Sequence, residues 1–491
     1  MDARTRKRAT FALGVLCGAL VVIAACSTTL QGTLAIVTGP DNGFTMPPQP
    51  TSLLVQLIDQ SGAATTIANV GLPTDGGVTL PSQPGSNVDI IQVTGFDDAG
   101  DAVVSGSTIP LALDQLSGLT LNLFVQRTGQ FSRLPSLDGG TATLTGPLSS
   151  TPILTTLFSR YLLIADGTGK STATQIYDTL TWQVDPSPPP LPIKPLSLAY
   201  VDTYTGSDAS IDGSSPIAAL LTLGSNGTAS WLDLTDSTSA DAEVTLDASI
   251  PPGGQLSDVT GGQTVVTPSG MLYIVGATRQ TGKPTTTILR ISTSGVLSWV
   301  SLTTPRLGAA AAYVPYLGLY VFGGSASGDA GAQANGVEFV SDTAPSATSP
   351  NPGLPPDTTT GAGAVAFDDN HVVLAGGVTP KGKPAPVRFY TVSDLSSPGS
   401  DAGTTWPALP VTLTSAQVFA LTTTSSPQGT YSAVVVGNAS SGAASAYLLT
   451  PTSVTPIQFQ VSRTHARAII LPNGSLGVVG GDSGTLESFI R

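Results

Sequence analysis

The sequence is poor in charge, in aromatic rings, in sulfur and in histidine, and each shortage excludes something. Only 10% of the 491 residues are Asp, Glu, Lys or Arg, against roughly 25% in an ordinary soluble domain. The charge is also lopsided: 32 acids oppose 19 bases, for a net charge of -13. That balance excludes a basic nucleic-acid binder. Histidine is confined to His371 and His465, and cysteine to Cys17 and Cys26 within the first 26 residues; two histidines with no free cysteine in the mature chain cannot supply the usual zinc or blue-copper ligand sets. Helical periodicity is hardly readable beyond the first 26 residues, and no Gly-rich string precedes a long helical pattern. Phosphate loops and dinucleotide fingerprints are thereby excluded. The 55 glycines follow no three-residue period, so collagen is excluded as well.

What is present begins with an address. Arg4, Arg6, Lys7 and Arg8 precede an uncharged apolar run from Phe11 to Ala24, with Ala24 and Ala25 before Cys26. This is the layout of a bacterial secretory signal. The string Ile23-Ala24-Ala25-Cys26 resembles the lipobox of bacterial lipoproteins. The resemblance implies a diacylglyceryl thioether on Cys26, cleavage before it and acylation of the new amino group. Ser27, in place of Asp, resembles outer-membrane sorting. A secreted chain cleaved elsewhere and a retained membrane anchor are the alternatives; the apolar run is short of the roughly 20 residues needed to span. Cleavage removes four bases and one acid, leaving 15 against 31 and a net charge of -16. Cys17 leaves with the signal and Cys26 holds lipid. The mature chain then has no thiol, and packing and backbone pairing must supply its stability.

Residues 26–50 read as a lipidated tether with one first strand near Leu34–Val37. From Ser52, short apolar runs alternate with turns: Leu53–Ile58, Val88–Val93, Ala102–Val104 and Leu119–Val125. Runs of this kind read as strands, and residues 51–128 are expected to form a small β-sandwich similar to immunoglobulin-like domains. Asp97, Asp98 and Asp101 cluster after one strand. They read as a solvated acidic turn, because they lack the alternating spacing of a calcium loop.

Residues 129–491 carry a repeat. Seven apolar strands end in Gly or a near-substitute: Tyr161–Gly167, Ala219–Gly224, Leu272–Ala277, Leu319–Gly324, His371–Gly377, Ser432–Gly437 and Leu476–Gly481. Their ends lie 43 to 61 residues apart, near the period of roughly 50 expected of kelch units. The glycine pairs are Gly323-Gly324, Gly376-Gly377 and Gly480-Gly481; Trp182, Trp231, Trp299 and Trp406 follow them or their counterparts; Arg306 and Arg463 precede small residues and the next strand. This pattern resembles the kelch family, in the superfamily of galactose-oxidase-like propellers. The resemblance implies an all-β, kelch-like β-propeller of seven blades, or six, with the tryptophans wedged between blades. The last unit is short of strands, and residues near Gly129–Leu134 are expected to supply one.

Chemistry is sparse. Gly481-Asp482-Ser483-Gly484 resembles the nucleophile string of trypsin-like proteases, but it occupies a diglycine position of the repeat. A Ser nucleophile also needs a positioned histidine and an acid. Some kelch-like propellers carry a copper radical site with a cysteine crosslinked to tyrosine, and the mature chain has no free cysteine for it. The sequence is therefore read as non-enzymatic and without a cofactor: a lipid-anchored protein of the bacterial cell envelope, in the outer membrane. Its propeller is expected to bind or scaffold a protein or polysaccharide partner, and not nucleic acid. The alternative is a carbohydrate-active propeller enzyme, a hydrolase or lyase. Arg160, Arg306, Arg463 and Arg467 are the candidate binding residues, with structural pairing as the competing role, and the lipidation site is Cys26.

Overall fold

The structure is a computed structural model. It describes residues 32–41, 43–72, 78–80, 88–112, 118–144, 151–205, 217–225, 227–234, 250–326, 336–342, 347–351, 359–396, 403–421, 431–481 and 483–491. The signal, the lipobox and Cys26 lie outside the described residues, and so does Asp482. No helix among the described residues is long and apolar enough to cross a membrane.

Nine strands come first: β1 (Thr33–Val37), β2 (Ser52–Ile58), β3 (Ala64–Gly71), β4 (Val78–Thr79), β5 (Val88–Phe96), β6 (Ala102–Ser107), β7 (Leu111–Ala112), β8 (Thr120–Phe124) and β9 (Gln126–Arg127). They make a three-stranded sheet in the order β4-β1-β8 and a six-stranded sheet running β3-β2-β5-β6-β9, with β7 beside β5. In β2 alternate side chains are buried, so Leu53, Val55 and Leu57 face the core while Ser52, Leu54, Gln56 and Ile58 lie half-buried on the other face. The expectation of a distinct immunoglobulin-like sandwich is corrected here. β1 runs parallel to β8, with Leu34 beside Leu121 and Ile36 beside Leu123, whereas immunoglobulin sheets are antiparallel. The core of this region also takes Leu180 from further along the chain.

Seven small antiparallel sheets follow. They are β11 (Pro152–Leu157), β12 (Tyr161–Asp166), β13 (Thr174–Asp178) and β14 (Gln183–Val184); β15 (Pro195–Tyr204), β16 (Ile217–Gly224) and β17 (Ala229–Asp233); β18 (Gln263–Val266), β19 (Leu272–Val275), β20 (Thr285–Ile291) and β21 (Leu297–Arg306). Next come β22 (Ala310–Val314), β23 (Gly318–Phe322), β24 (Val337–Ser341) and β25 (Ala347–Asn351); β26 (Thr360–Ala366), β27 (His371–Val378), β28 (Val387–Thr391) and β29 (Thr404–Trp406); β30 (Gln417–Ala420), β31 (Ala433–Asn438), β32 (Ala444–Leu449) and β33 (Val454–Ile457). The last sheet combines β34 (Arg467–Ile470), β35 (Leu476–Gly480) and β36 (Ser483–Phe489) with β10 (Phe131–Arg133), whose Phe131 pairs with Phe489.

The second strand of each of these sheets is apolar without alternation because both of its faces are covered. In β19, Leu272 and Ile274 face a core shared with Leu221 and Trp231, whereas Tyr273 and Val275 face one shared with Leu319 and Val321. The kelch-like β-propeller of seven or six blades is corrected to a plainer description. The chain is all-β; among the described residues its strands are divided among nine small separate sheets, and no sheet closes on itself. The second of the seven later sheets has three strands among the described residues. A sequence period reports a repeated strand unit; it does not by itself fix how the units are assembled.

Candidate functional site

The four candidate arginines have different fates. Arg306 ends β21 fully buried, 0% exposed, opposite Glu338 of β24, also 0% exposed. Its Nε and Nη2 donate to Glu338 Oε1 at 3.2 and 3.0 Å, and its Nη1 donates to the carbonyls of Gly323 and Gly336 at 2.7 and 3.1 Å. Glu338 Oε2 accepts the Thr303 N–H and hydroxyl, and Oε1 accepts the Thr304 N–H. Desolvation lowers the Arg306 pKa, with Glu338 opposing the shift.

Arg463 repeats this arrangement before β34. Its Nε and Nη2 donate to Glu487 Oε1 at 3.2 and 2.7 Å, and Nη2 also donates to the Thr485 carbonyl. The Gln460 and Val461 N–H groups complete the carboxylate shell. In the two places the guanidinium ties the segment just before β22 or β34 to β24 or β36 of the same sheet. These groups are saturated and shielded from solvent, so they hold structure and offer no surface to a ligand.

Arg160 forms a bidentate pair with Asp178, Nε to Oδ1 at 3.0 Å and Nη2 to Oδ2 at 2.6 Å, and its guanidinium lies 5.0 Å from the Tyr161 ring centroid. Burial pushes the Asp178 pKa up. Hydrogen bonds from Arg160, Thr181 and the Leu180 N–H outweigh that and leave it lowered. Arg467 opens β34 half-buried, and no hydrogen bond or ion pair of its side chain occurs among the described residues. Desolvation alone pulls its pKa below the usual range.

The tryptophans sit in cores. Trp182 donates from Nε1 to the Asn122 carbonyl at 3.0 Å and meets Phe124 edge-on, tying β8 to the first of the seven sheets. Trp231 packs on Tyr204 with centroids 4.6 Å apart, and Trp299 donates to the Pro251 carbonyl at 2.7 Å. Trp406 stacks on Phe389 at 5.2 Å. All six residues of the three glycine pairs have positive φ. At Gly481 (φ 78°) a Cβ would stand 1.9 Å from the Thr464 carbonyl oxygen, so no side chain fits there.

Asp97 caps its own exposed turn, Oδ1 accepting the N–H groups of Ala99 and Asp101 at 3.0 and 2.9 Å. No group of three or more His, Cys, Asp or Glu able to hold a metal ion occurs among the described residues. Ser483 Oγ accepts the Thr485 N–H at 3.2 Å, a turn contact.

Two polar clusters escaped the sequence reading. Asp368 Oδ1 accepts the N–H groups of Asn370 and His371, and His371 Nδ1 lies 2.9 Å from both Asp368 oxygens. Tyr431 joins them, its hydroxyl 2.9 Å from His371 Nδ1 and 3.1 Å from Asp368 Oδ2. Phe389 stacks on His371, and Phe367 packs on Tyr431. Burial raises the Asp368 pKa, but the Asn370 N–H and His371 outweigh it and the net shift is downward. In the second cluster Tyr273 donates to Asp342 Oδ1 at 3.2 Å, and Tyr313 donates to Oδ2. Burial and the Asp342 charge push the Tyr273 pKa up to about 12. The turn before His371 is visible in sequence; Tyr431, from the next sheet, carries no local signal.

Comparison with known proteins gives no family. No family model matches the chain, and no curated protein matches it. Among solved structures, it is similar to a DUF4784 family protein from Bacteroides caccae ATCC 43185, at 11% identity and a TM-score of 0.32, covering 94% of this chain and 92% of that one. A likeness at that score carries no argument about fold or activity. Both functions tied to the propeller, non-catalytic binding by its faces and carbohydrate-active propeller catalysis, are withdrawn together with that architecture.

Proposed function

We propose that this chain is a lipid-anchored protein of the bacterial cell envelope, held in the outer membrane through acylated Cys26. The observation that carries the reading is the string of four bases, an uncharged apolar run and Ile23-Ala24-Ala25-Cys26. The described body begins close behind it: the Gly32 carbonyl already accepts the Leu80 N–H at 2.9 Å, and β1 starts at Thr33. Six residues from Cys26 to Gly32 reach at most about 20 Å when extended, at roughly 3.3–3.6 Å per residue. The body therefore stands near the headgroups. Two or three acyl chains suffice for stable anchoring, where one is marginal. In this reading the protein performs no catalytic step. The second partner expected in this reading is a protein or polysaccharide of the same compartment. Cys26→Ser is expected to abolish metabolic lipid labelling and to release the protein from the membrane fraction. Labelling that persists in the variant refutes the anchor.

A further inference from the structure

Among the described residues, all but one of the sheet edges are guarded. In the seven later sheets the first strand of each lies beside the first strand of a neighbouring sheet, and the outer strands are blunted. β21, β25 and β33 carry Pro305, Pro350 and Pro456, β10, β14 and β29 are two or three residues long, and β17 ends on Asp233. In the N-terminal sheets β4, β7 and β9 have two residues each, and β8 is largely buried. Short strands, proline and charge are the usual protection of an edge against pairing with another chain.

β3 is the exception. Its eight residues, Ala64–Gly71, contain no proline and no charge, and most are exposed. It pairs with β2 on one side and, among the described residues, with no strand on the other. Asp59 fixes the turn that leads into it, Oδ1 accepting the Ser61 and Ala63 N–H groups at 2.8 and 2.9 Å. The Asp59 N–H donates to the Ala63 carbonyl, and Leu57 stands opposite Thr65. Antiparallel alternation therefore turns the backbone groups of Thr65 toward β2 and those of Ala64 and Thr66 outward. Ile67 is an extra residue between the Val55–Ala68 and Gln56–Thr66 pairs. Such a bulge bends the strand and removes no backbone donor.

We propose that β3 pairs antiparallel with β3 of a second copy of this chain, both copies being anchored in one leaflet. Main-chain pairing of this kind takes its affinity from the exposed edge itself. A two-fold axis sets the edge against its own copy, so the contact is closed and stops at two chains. The edge also suits two acidic partners: the chain carries 32 acids against 19 bases, and here no like charges are brought opposite each other. An edge about 26 Å long, at roughly 3.3 Å per residue, is a small contact beside the roughly 1,200–2,000 Å² of a stable complex. Confinement makes up the difference, because the short tether from Cys26 to Gly32 holds both bodies at one height and raises their effective concentration. In this respect the inference rests on the lipid anchor proposed above.

The test uses the full chain in its membrane, where lipid blocks Cys26. Thr65→Cys and Asn69→Cys are made singly in β3, with Val296→Cys, 60% exposed in the turn between β20 and β21, as the collision control. Under mild oxidation at least one β3 variant is expected to form a disulfide dimer about tenfold faster than the control. Thr66→Pro removes one outward N–H, a change that edge strands accept, and should slow that crosslink to the control rate at an unchanged melting temperature. Thr66→Lys replaces it if the proline variant melts lower. Crosslinking no faster than the control overturns the pairing, and so does a disulfide to a different envelope protein. Lipid labelling of the same samples keeps the two readings apart: a labelled chain that does not dimerise overturns the pairing and leaves the anchor standing. An unlabelled chain refutes the anchor, and sedimentation of Cys26→Ser then decides the pairing. A concentration-dependent dimer that Thr66→Pro dissolves supports it, and a monomer at every concentration overturns it.

Discussion

Removing the Glu338 side chain should be among the most damaging single changes in the protein. Arg306 and Glu338 are both 0% exposed, and the carboxylate accepts from five donors: Arg306 Nε and Nη2, the Thr303 N–H and hydroxyl, and the Thr304 N–H. Glu338→Ala leaves the guanidinium buried without its counter-charge and orphans two backbone N–H groups. Breaking a buried pair by deleting one partner costs about 3–5 kcal/mol, a large share of the 5–15 kcal/mol that usually separates folded from unfolded chains. Arg306→Met should cost a similar amount. The double variant Arg306→Met/Glu338→Leu should recover much of the loss, since a well-packed apolar pair can replace a buried ion pair at little cost. The assay is chemical denaturation of the two single variants and the double, read as midpoint shifts at unchanged slope. Single variants within about 1 kcal/mol of wild type, or a double variant equal to the sum of its singles, would refute the coupling. Glu487→Ala tests the same reasoning in the last sheet, where Arg463 is paired in the same way.

Further expectations follow from single contacts. The lowered Asp178 pKa means a stability contribution fully present above the unfolded carboxylate value, roughly pH 4, and lost as pH falls through the folded one. Arg160→Met should flatten that acid limb of a melting-temperature profile, and an unchanged limb would sink the assignment. Gly474 and Gly481 have nearly the same φ, 80° and 78°, but a Cβ at Gly474 meets nothing within 4 Å. Gly474→Ala should therefore cost only the left-handed strain of about 1–2 kcal/mol, and Gly481→Ala a further 1–3 kcal/mol or so of overpacking; equal losses in denaturation would contradict the close approach. Tyr431→Phe removes one donor to Asp368, so the Asp368 carboxyl should titrate higher when followed by carbon NMR.

The strand content was legible because burial on both faces leaves a direct trace in composition. Tyr161–Ala165, Leu319–Phe322 and Ala433–Val436 read as unbroken apolar runs, and each lies in the second strand of its sheet. Glycine after such a run was legible too, since positive φ and a backbone contact like that of Gly481 with Thr464 admit nothing larger. The N-terminal pairing was not. Leu34–Val37 is a four-residue apolar run whose parallel partner, Leu121–Phe124, is distant in sequence, and parallel pairing has no local turn to announce it. Glu338 and Glu487 were equally silent: each is a lone acid on a short strand, and only the fold brings it to an arginine 32 or 24 residues away. The same holds for Tyr431, 60 residues from His371.

These observations bear on how a chain with so little charge remains specific. Apolar strands that resemble one another invite register errors and exchange between sheets, because one Val-rich run satisfies another's partner almost as well. A buried Arg–Glu pair does not tolerate such an exchange. If β24 took the place of another third strand, Glu338 would be buried without Arg306, and Arg306 without its acid. The penalty for that error is of the same order as the deletion cost, about 3–5 kcal/mol. The pairs Arg306–Glu338 and Arg463–Glu487 therefore add more to the choice of partner strand than to net stability. Variants with both members made apolar should keep a denaturation midpoint close to that of wild type, recovering most of the single-variant loss, yet refold to a smaller native fraction after dilution from denaturant. Full recovery of native protein by the double variant would show that the apolar strands alone select their partners.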